Sequence, residues 1–254
     1  MDISDTIQES NKGNVKIIRF NKPKRKNAID IEMYARVTQI LNEAAIDQDT
    51  QMVVLTGTGF FYSSGNDLTA VKHEDTNEFL KVLGDFIKAF ILFPKLLTVI
   101  VNGPAVGIAT TTLPLCDFVF ASDKAYFYTP FTKLGIIPEA CSTVTFPRLI
   151  GAKKATQLLL LNYKMQAQEA LECGLIDYVY KFDELEEKAW NKINEILALP
   201  IDSLLITKRL FRRPHLDELL KVNEIEMAET CRIVAKRLSK FNFIQNLMII
   251  CLLF

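Results

Sequence analysis

The segment PFTKLGIIPEACSTVTFP, Pro130 to Pro147, contains one carboxylate, Glu139, set between a proline and small residues. An acid in that setting suits proton transfer, because a carboxylate can take a proton from carbon and give it back. Two glycine turns upstream offer a place for the negative charge such a step creates. In NGPAVGIATTTLPLCDF an apolar strand ends at Asn102 and Gly103, and Gly107 precedes a segment able to become a helix. The first N–H groups of a helix have no intrahelical partner, so Gly107 and Ile108 can donate to an anionic oxygen. In TGTGFFYSSGNDL, Gly65 permits close backbone approach and the N–H of Asn66 is a second candidate donor. Two such donors on one oxygen contribute roughly a few kcal/mol to an oxyanion transition state. Each piece alone has a plain alternative. Glu139 can be a solvated loop acid, the Gly107 turn is of a common type, and Ser63, Ser64, Asn66 and Asp67 can make the Asx-type bonds of a surface turn. Acid and anion hole together point to an enzyme.

Other chemistries have little material. Two histidines, His73 and His215, show no pairing with Cys or Ser motifs that would support a nucleophile–histidine mechanism. The five cysteines, Cys116, Cys141, Cys173, Cys231 and Cys251, are scattered and never form C-x-x-C, which argues against a disulfide framework or a zinc site and for a reducing compartment. No metal site is expected. Thirty basic and thirty acidic side chains cancel, so no global field draws the chain to nucleic acid or an anionic membrane. The basic run at Lys22, Lys24, Arg25 and Lys26 lacks interleaved aromatics, and nucleic-acid binding is not expected from it. MDISDTIQES has no apolar core and reads neither as a secretory signal nor as a transit peptide. The uncharged part of FNFIQNLMIICLLF is too short to span a bilayer, so no stable membrane insertion is expected.

The elements that must position these residues alternate between short β-branched runs and helices. NVKIIRF at 14–20, MVVLT at 52–56, LTVIV at 97–101, DFVFA at 117–121 and YVY at 178–180 read as strands of an α/β core. Asp30 caps a helix carrying Met33, Val37, Ile40, Leu41 and Ala44 and closing near Asp47. A second amphipathic helix is expected from Thr76 to Phe93, ended by Pro94. From Gly151 onward helical patterns dominate, with Gly174 as one stop and a long segment from Leu216 to about Lys240.

In the order and spacing of NKPKRKNAI, TGTGFFYSSGNDL, NGPAVGIATTTLPLCD, ASDKAYFYTPFTKLGIIPEACSTVTFPRLIG and ALECGLID, the chain resembles the crotonase, or enoyl-CoA hydratase/isomerase, superfamily up to about Lys240. SSGNDL and PEACST look most like its Δ3,Δ2-enoyl-CoA isomerase branch. The resemblance implies a spiral of strand-strand-helix turns at 1–200, a C-terminal helical region at 201–240 that trimerises, and an atypical hydrophobic tail at 241–254. It implies an acyl-CoA thioester as partner and no separate cofactor, CoA being part of the substrate. Oxyanion donors fall on Asn66 and Ile108, and the acid on Glu139. The two glutamates with which hydratases of the family activate water fall on Thr111 and Phe131, so hydration is disfavoured. CoA contacts are implied at Ser64, Gly65, Asn66, Asp67 and Leu68 and at Lys24 and Lys26, with Lys208, Arg209, Arg212 and Arg213 as a second phosphate-facing candidate. Phe131, Leu134 and Ile136 are expected to line the acyl pocket and raise the pKa of Glu139, while Val71, Phe79 and Phe86 close it. The alternatives are a hydratase of relaxed design and an acyl-CoA-binding or interaction module without turnover, the latter opposed by the presence of Glu139. By resemblance the compartment is peroxisome or mitochondrion, although the chain ends CLLF and not in a Ser-Lys-Leu type signal.

Overall fold

The computed structural model describes residues 3–67 and 76–238. Leu68, Val71, His73 and the 241–254 tail lie outside the described residues. A helical turn, α1 (Ile3–Thr6), precedes the hairpin of β1 (Ile7–Lys12) and β2 (Val15–Phe20). Then come α2 (Ile31–Ile46), β3 (Met52–Gly57), α3 (Thr76–Leu92), β4 (Leu96–Val101), β5 (Ala105–Val106) and α4 (Ile108–Thr111). They are followed by β6 (Phe118–Ser122), β7 (Tyr126–Tyr128), α5 (Phe131–Leu134), α6 (Ser142–Ile150) and α7 (Ala152–Leu159). The chain continues through β8 (Lys164–Gln166), α8 (Ala167–Glu172), β9 (Tyr178–Tyr180), α9 (Leu185–Leu197) and α10 (Ile201–Leu238).

The main sheet has the order β1-β2-β3-β4-β6-β9, antiparallel at β1/β2 and parallel elsewhere. Strands β3 and β4 are buried at every position, the pattern of parallel strands covered on both faces. Alternate residues supply two cores, as the two-residue period of a strand requires. Val53, Leu55, Leu97, Val99 and Val101 join the cluster containing Met33, Val37, Leu41, Phe86 and Phe90 of α2 and α3. Met52, Val54, Leu96 and Ile100 face Leu185, Ala189, Trp190 and Ile193 of α9. Asp30 Oδ1 accepts from the N–H of Met33 at 3.0 Å, so the expected cap opens α2. A second sheet, β5-β7-β8, lies beyond β4 and carries the Gly107 turn, whose N–H donates to Tyr128 O at 2.8 Å.

Helix α10 begins at Ile201 and runs through Pro214, well before the expected start at Leu216. Its first turns dock on the sheet through charge. Lys208, 4 % exposed, donates to Asp117 Oδ2 at 2.6 Å and to Lys95 O at 2.5 Å, and Arg212 reaches Asp117 Oδ1 at 3.1 Å. Asp117 Oδ2 also accepts from the N–H of Leu97, the second residue of β4. Lys208 and Arg212 are therefore not open phosphate ligands as expected; burial and Asp117 claim both. Lys208→Met leaves a buried carboxylate with half its compensation and is expected to cost about 3 kcal/mol in urea unfolding.

Candidate active site

Two side-chain amides hold the first glycine turn. Asn27 Nδ2 donates to the carbonyls of Thr58, Phe61 and Tyr62 at 3.0, 2.7 and 3.2 Å. Asn102 accepts from Gly57 N–H at 3.0 Å and donates to Gly59 O at 2.7 Å. The turn is thereby laid along the second one, with Ser63 bridging Ala105 in parallel and Val106 N–H donating to Ser63 O at 3.0 Å. Gly65 has φ +84°, and a Cβ there would sit 2.7 Å from Val106 O. Only glycine lets the two turns meet.

The backbone donors divide sharply. Ser64 N–H donates to Lys26 O, Gly65 N–H to Ser63 Oγ, and Asp67 N–H to Ile29 O. Gly107 N–H is taken by Tyr128 O, and the N–H groups of Thr110 and Thr111 by Gly107 O. Among the described residues no acceptor faces the N–H of Asn66 or the N–H of Ile108, which opens α4. A backbone donor left unpaired in the interior is costly unless a ligand meets it.

Glu139 follows Pro138 in the turn between α5 and α6 and is 4 % exposed. Its Oε1 lies 3.5 Å from Asn66 Nδ2. The hydroxyl of Tyr34, buried on α2, donates to Asn66 Oδ1, which turns the amide so that its NH₂ group faces Glu139. Burial raises the Glu139 carboxyl from 4.5 to about 8; the Asn66 amide draws it down, and the neighbouring Glu226 of α10 adds to the rise. A carboxyl that titrates near neutrality can act as base and then as acid. Burial also pushes the thiols of Cys116 and Cys141 up to about 12, so neither offers a thiolate at neutral pH.

The other expected residues spread around this centre. Phe131 is buried in α5, and Leu134 and Ile136 are half-buried beside it in sequence. Lys24 and Lys26 are exposed on the turn after β2, with Lys26 Nζ 5.3 Å from the ring centre of Phe61. The Asp67 side chain is held by Lys22 at 3.1 Å and Arg25 at 3.3 Å, which fixes the end of the Gly65 turn to the basic segment. Leu68 lies outside the described residues. Sequence reasoning passed over Tyr34 and Glu226. Tyr34 continues the stripe Val37–Leu41 at three- and four-residue steps and reads as core; Glu226 sits in a helix whose charges look uniformly solvated.

The enoyl-CoA hydratase/isomerase family model matches residues 10–240. Rat enoyl-CoA delta isomerase 2 is 43 % identical over 229 residues, covering 88 % of this chain and 58 % of the relative. Mouse peroxisomal enoyl-CoA delta isomerase 3 is 40 % identical over 250 residues, covering 96 % and 77 %. This chain thus spans about three-fifths of the rat protein's length. An enoyl-CoA hydratase/isomerase crystal structure from Pseudoalteromonas atlantica superposes with a TM-score of 0.84 at 30 % identity, over 96 % of this chain and 95 % of that one. The α/β architecture is accordingly the crotonase fold, and the chain belongs to the enoyl-CoA hydratase/isomerase family.

Proposed function

We propose that this chain is an isomerase that shifts the double bond of a 3-enoyl-CoA to give the trans-2-enoyl-CoA, in the β-oxidation of unsaturated fatty acids. The observation that carries the reading is the buried carboxyl of Glu139 beside the Asn66 side chain, with the unpaired N–H groups of Asn66 and Ile108 on two turns in contact. Glu139 as carboxylate takes the C2 proton. The C2–H electrons move into the C1–C2 bond, and the thioester oxygen becomes enolate-like between the two N–H donors. The carboxyl then returns the proton at C4, the 3,4 double bond moves to 2,3, and the base is regenerated. No water is added and no net oxidation occurs.

The branch is set by what stands where the hydratases of the family place their acids. Thr111 is fully buried, with its hydroxyl 3.4 Å from the carbonyls of Gly107 and Ile108, and Phe131 is 2 % exposed in the core. Thr111→Glu with Phe131→Glu is expected to gain almost no hydratase activity and to lose stability, because two carboxyls enter packed apolar space. Substantial hydration of a 2-enoyl-CoA by the double variant would show that the acids alone choose the reaction.

Ser64–Leu68, Lys24 and Lys26 are the proposed CoA contacts, and Phe131, Leu134 and Ile136 the proposed acyl wall. Leu210 and Phe211, 63 % and 60 % exposed on α10, support a homotrimer built on that helix. The name of the mouse relative places that protein in peroxisomes, and peroxisome or mitochondrion is the compartment proposed for this one. The direct test is growth of conjugated-thioester absorbance when purified protein meets a 3-enoyl-CoA. Tight acyl-CoA binding without turnover would instead identify a binding module.

A further inference from the structure

The residue that follows the proposed acid starts a backbone arrangement that L-amino acids avoid. Ala140 and Cys141 both have positive φ, 57° and 60°, and both are fully buried. Consecutive left-handed residues other than glycine each cost on the order of 1 kcal/mol or more, and they persist only where their surroundings hold them. Helix α6 begins immediately afterwards, and its N-cap, Cys141, supplies no capping side chain.

The missing cap comes from another helix. Glu226 of α10, 4 % exposed, accepts from Cys141 N–H through Oε2 at 2.7 Å. Its Oε1 accepts from Thr143 N–H at 3.2 Å and Thr143 Oγ at 2.5 Å. The same helix meets Cys141 about two turns earlier, where Leu219 O accepts from Sγ at 3.2 Å. Ser142 completes the turn by donating its hydroxyl to Glu139 O at 2.7 Å. Glu226 thus ties the second residue of the strained pair to the first turn of the helix that follows. Burial raises the Glu226 carboxyl above its ordinary value, and the bonds from Thr143 and the Cys141 N–H, which can only donate to it, work against that rise and favour the ionised carboxylate. One turn before Glu226, Asn223 Nδ2 donates to Gly84 O of α3 at 3.1 Å, so this stretch of α10 is itself seated on the core.

A helix cap needs only an acceptor, and an ordinary one would stand in water. Here a second acid is buried next to the first at considerable desolvation cost. We propose that Glu226 is a positioning residue for Glu139: reaching from α10, its carboxylate locks the left-handed Ala140–Cys141 turn and so fixes the aim of Glu139 between C2 and C4 of the substrate. This rests on the isomerase reading. A shuttle between two carbons demands more of that aim than a one-site proton transfer does, and a misplacement of about 1 Å can cost about 100-fold.

Among the described residues, the ionisable groups facing Glu139 are Glu226 on α10 and Tyr34 on α2, and those facing Glu226 are Glu139 and Cys141. Removing the Glu226 charge therefore moves the acid limb of kcat/KM to lower pH. In Glu226→Gln and Glu226→Ala, kcat is expected to fall about 10- to 100-fold with KM changed less than about threefold. Thr143→Val, which removes one donor and keeps the shape, should show a smaller fall in kcat alone. A purely structural role predicts lower Tm but wild-type kcat in the folded fraction, the acid limb moving with the lost charge in either case. That result in Glu226→Gln and Thr143→Val overturns the proposal. Should the wild type turn over no 3-enoyl-CoA, the isomerase reading fails by itself. The positional inference is then decided by the crystal structure of Glu226→Gln: a Glu139 carboxyl displaced by about 1 Å with Ala140 and Cys141 relaxed from the left-handed region supports it, and an unmoved carboxyl overturns it.

Discussion

Glu139→Gln is expected to lower kcat for the proposed 3-enoyl-CoA isomerisation by about 10³- to 10⁴-fold while acyl-CoA binding changes little. The substituted amide keeps the size of the side chain and the Asn66 contact but cannot carry a proton between carbons, so the whole acid–base contribution is lost. The wild-type pH profile should reveal the same group. Burial holds the carboxyl at about 8, hence kcat/KM climbs as pH rises and levels off above that value. Stability moves in the opposite sense. A folded pKa raised from 4.5 to about 8 means that the folded state holds the Glu139 proton more tightly than the unfolded chain. The resulting stabilisation is complete below about pH 4.5 and is lost as pH rises through about 8. Urea unfolding should therefore find Glu139→Gln gaining on the wild type between pH 5 and pH 8.5, by as much as about 4 kcal/mol. Parallel curves would mean that the acid is not held in an apolar site; a Gln variant with full activity would remove Glu139 from the chemistry.

What the sequence disclosed, and what it withheld, follows from the range of the signals. The strands β3 and β4 announce themselves because burial on both faces demands runs such as MVVL and LLTVIV, and β2, β6 and β9 through their β-branched and aromatic residues. Asp30 and Gly174 mark helix ends by local backbone chemistry, and Gly174 does stand at φ +79° after α8. Strand β1 was invisible. IQESNK has one buried residue, and pairing with β2 rather than burial makes it a strand. The second sheet is assembled from pieces of two or three residues, below the length at which periodicity can be seen. Pro214 made the expected helix begin too late, whereas α10 continues across it. Among the candidate site residues, Glu139, Asn66 and Ile108 stand out in the sequence since each sits beside a proline or a turn glycine. Tyr34 and Glu226 were not: they come from helices more than 30 and 80 residues away from the groups they hold, and only the fold brings them there.

Gly65→Ala is expected to damage stability and catalysis together, for one geometric reason. The position has φ +84°, and the added Cβ would stand 2.7 Å from Val106 O and 3.7 Å from Gly107 Cα. Neither neighbour is a flexible side-chain end. Val106 N–H is bonded to Ser63 O and Gly107 N–H to Tyr128 O, so relief requires the two turns to separate. Strain at the left-handed position adds to the clash, and a loss of about 2–4 kcal/mol in chemical unfolding is expected. Separation also splits the proposed anion hole, since Asn66 follows Gly65 and Ile108 follows Gly107. With the enolate oxygen reaching one donor instead of two, kcat should fall about 10²- to 10³-fold in the folded enzyme. The two losses can be told apart. Activity per folded molecule, measured well below the denaturation midpoint, reports the donors alone, and a Gly65→Ala protein that is merely less stable would retain wild-type kcat there. That outcome would show that the rate does not depend on Asn66 and Ile108 meeting one oxygen, and would remove the proposed anion hole from the chemistry of Glu139.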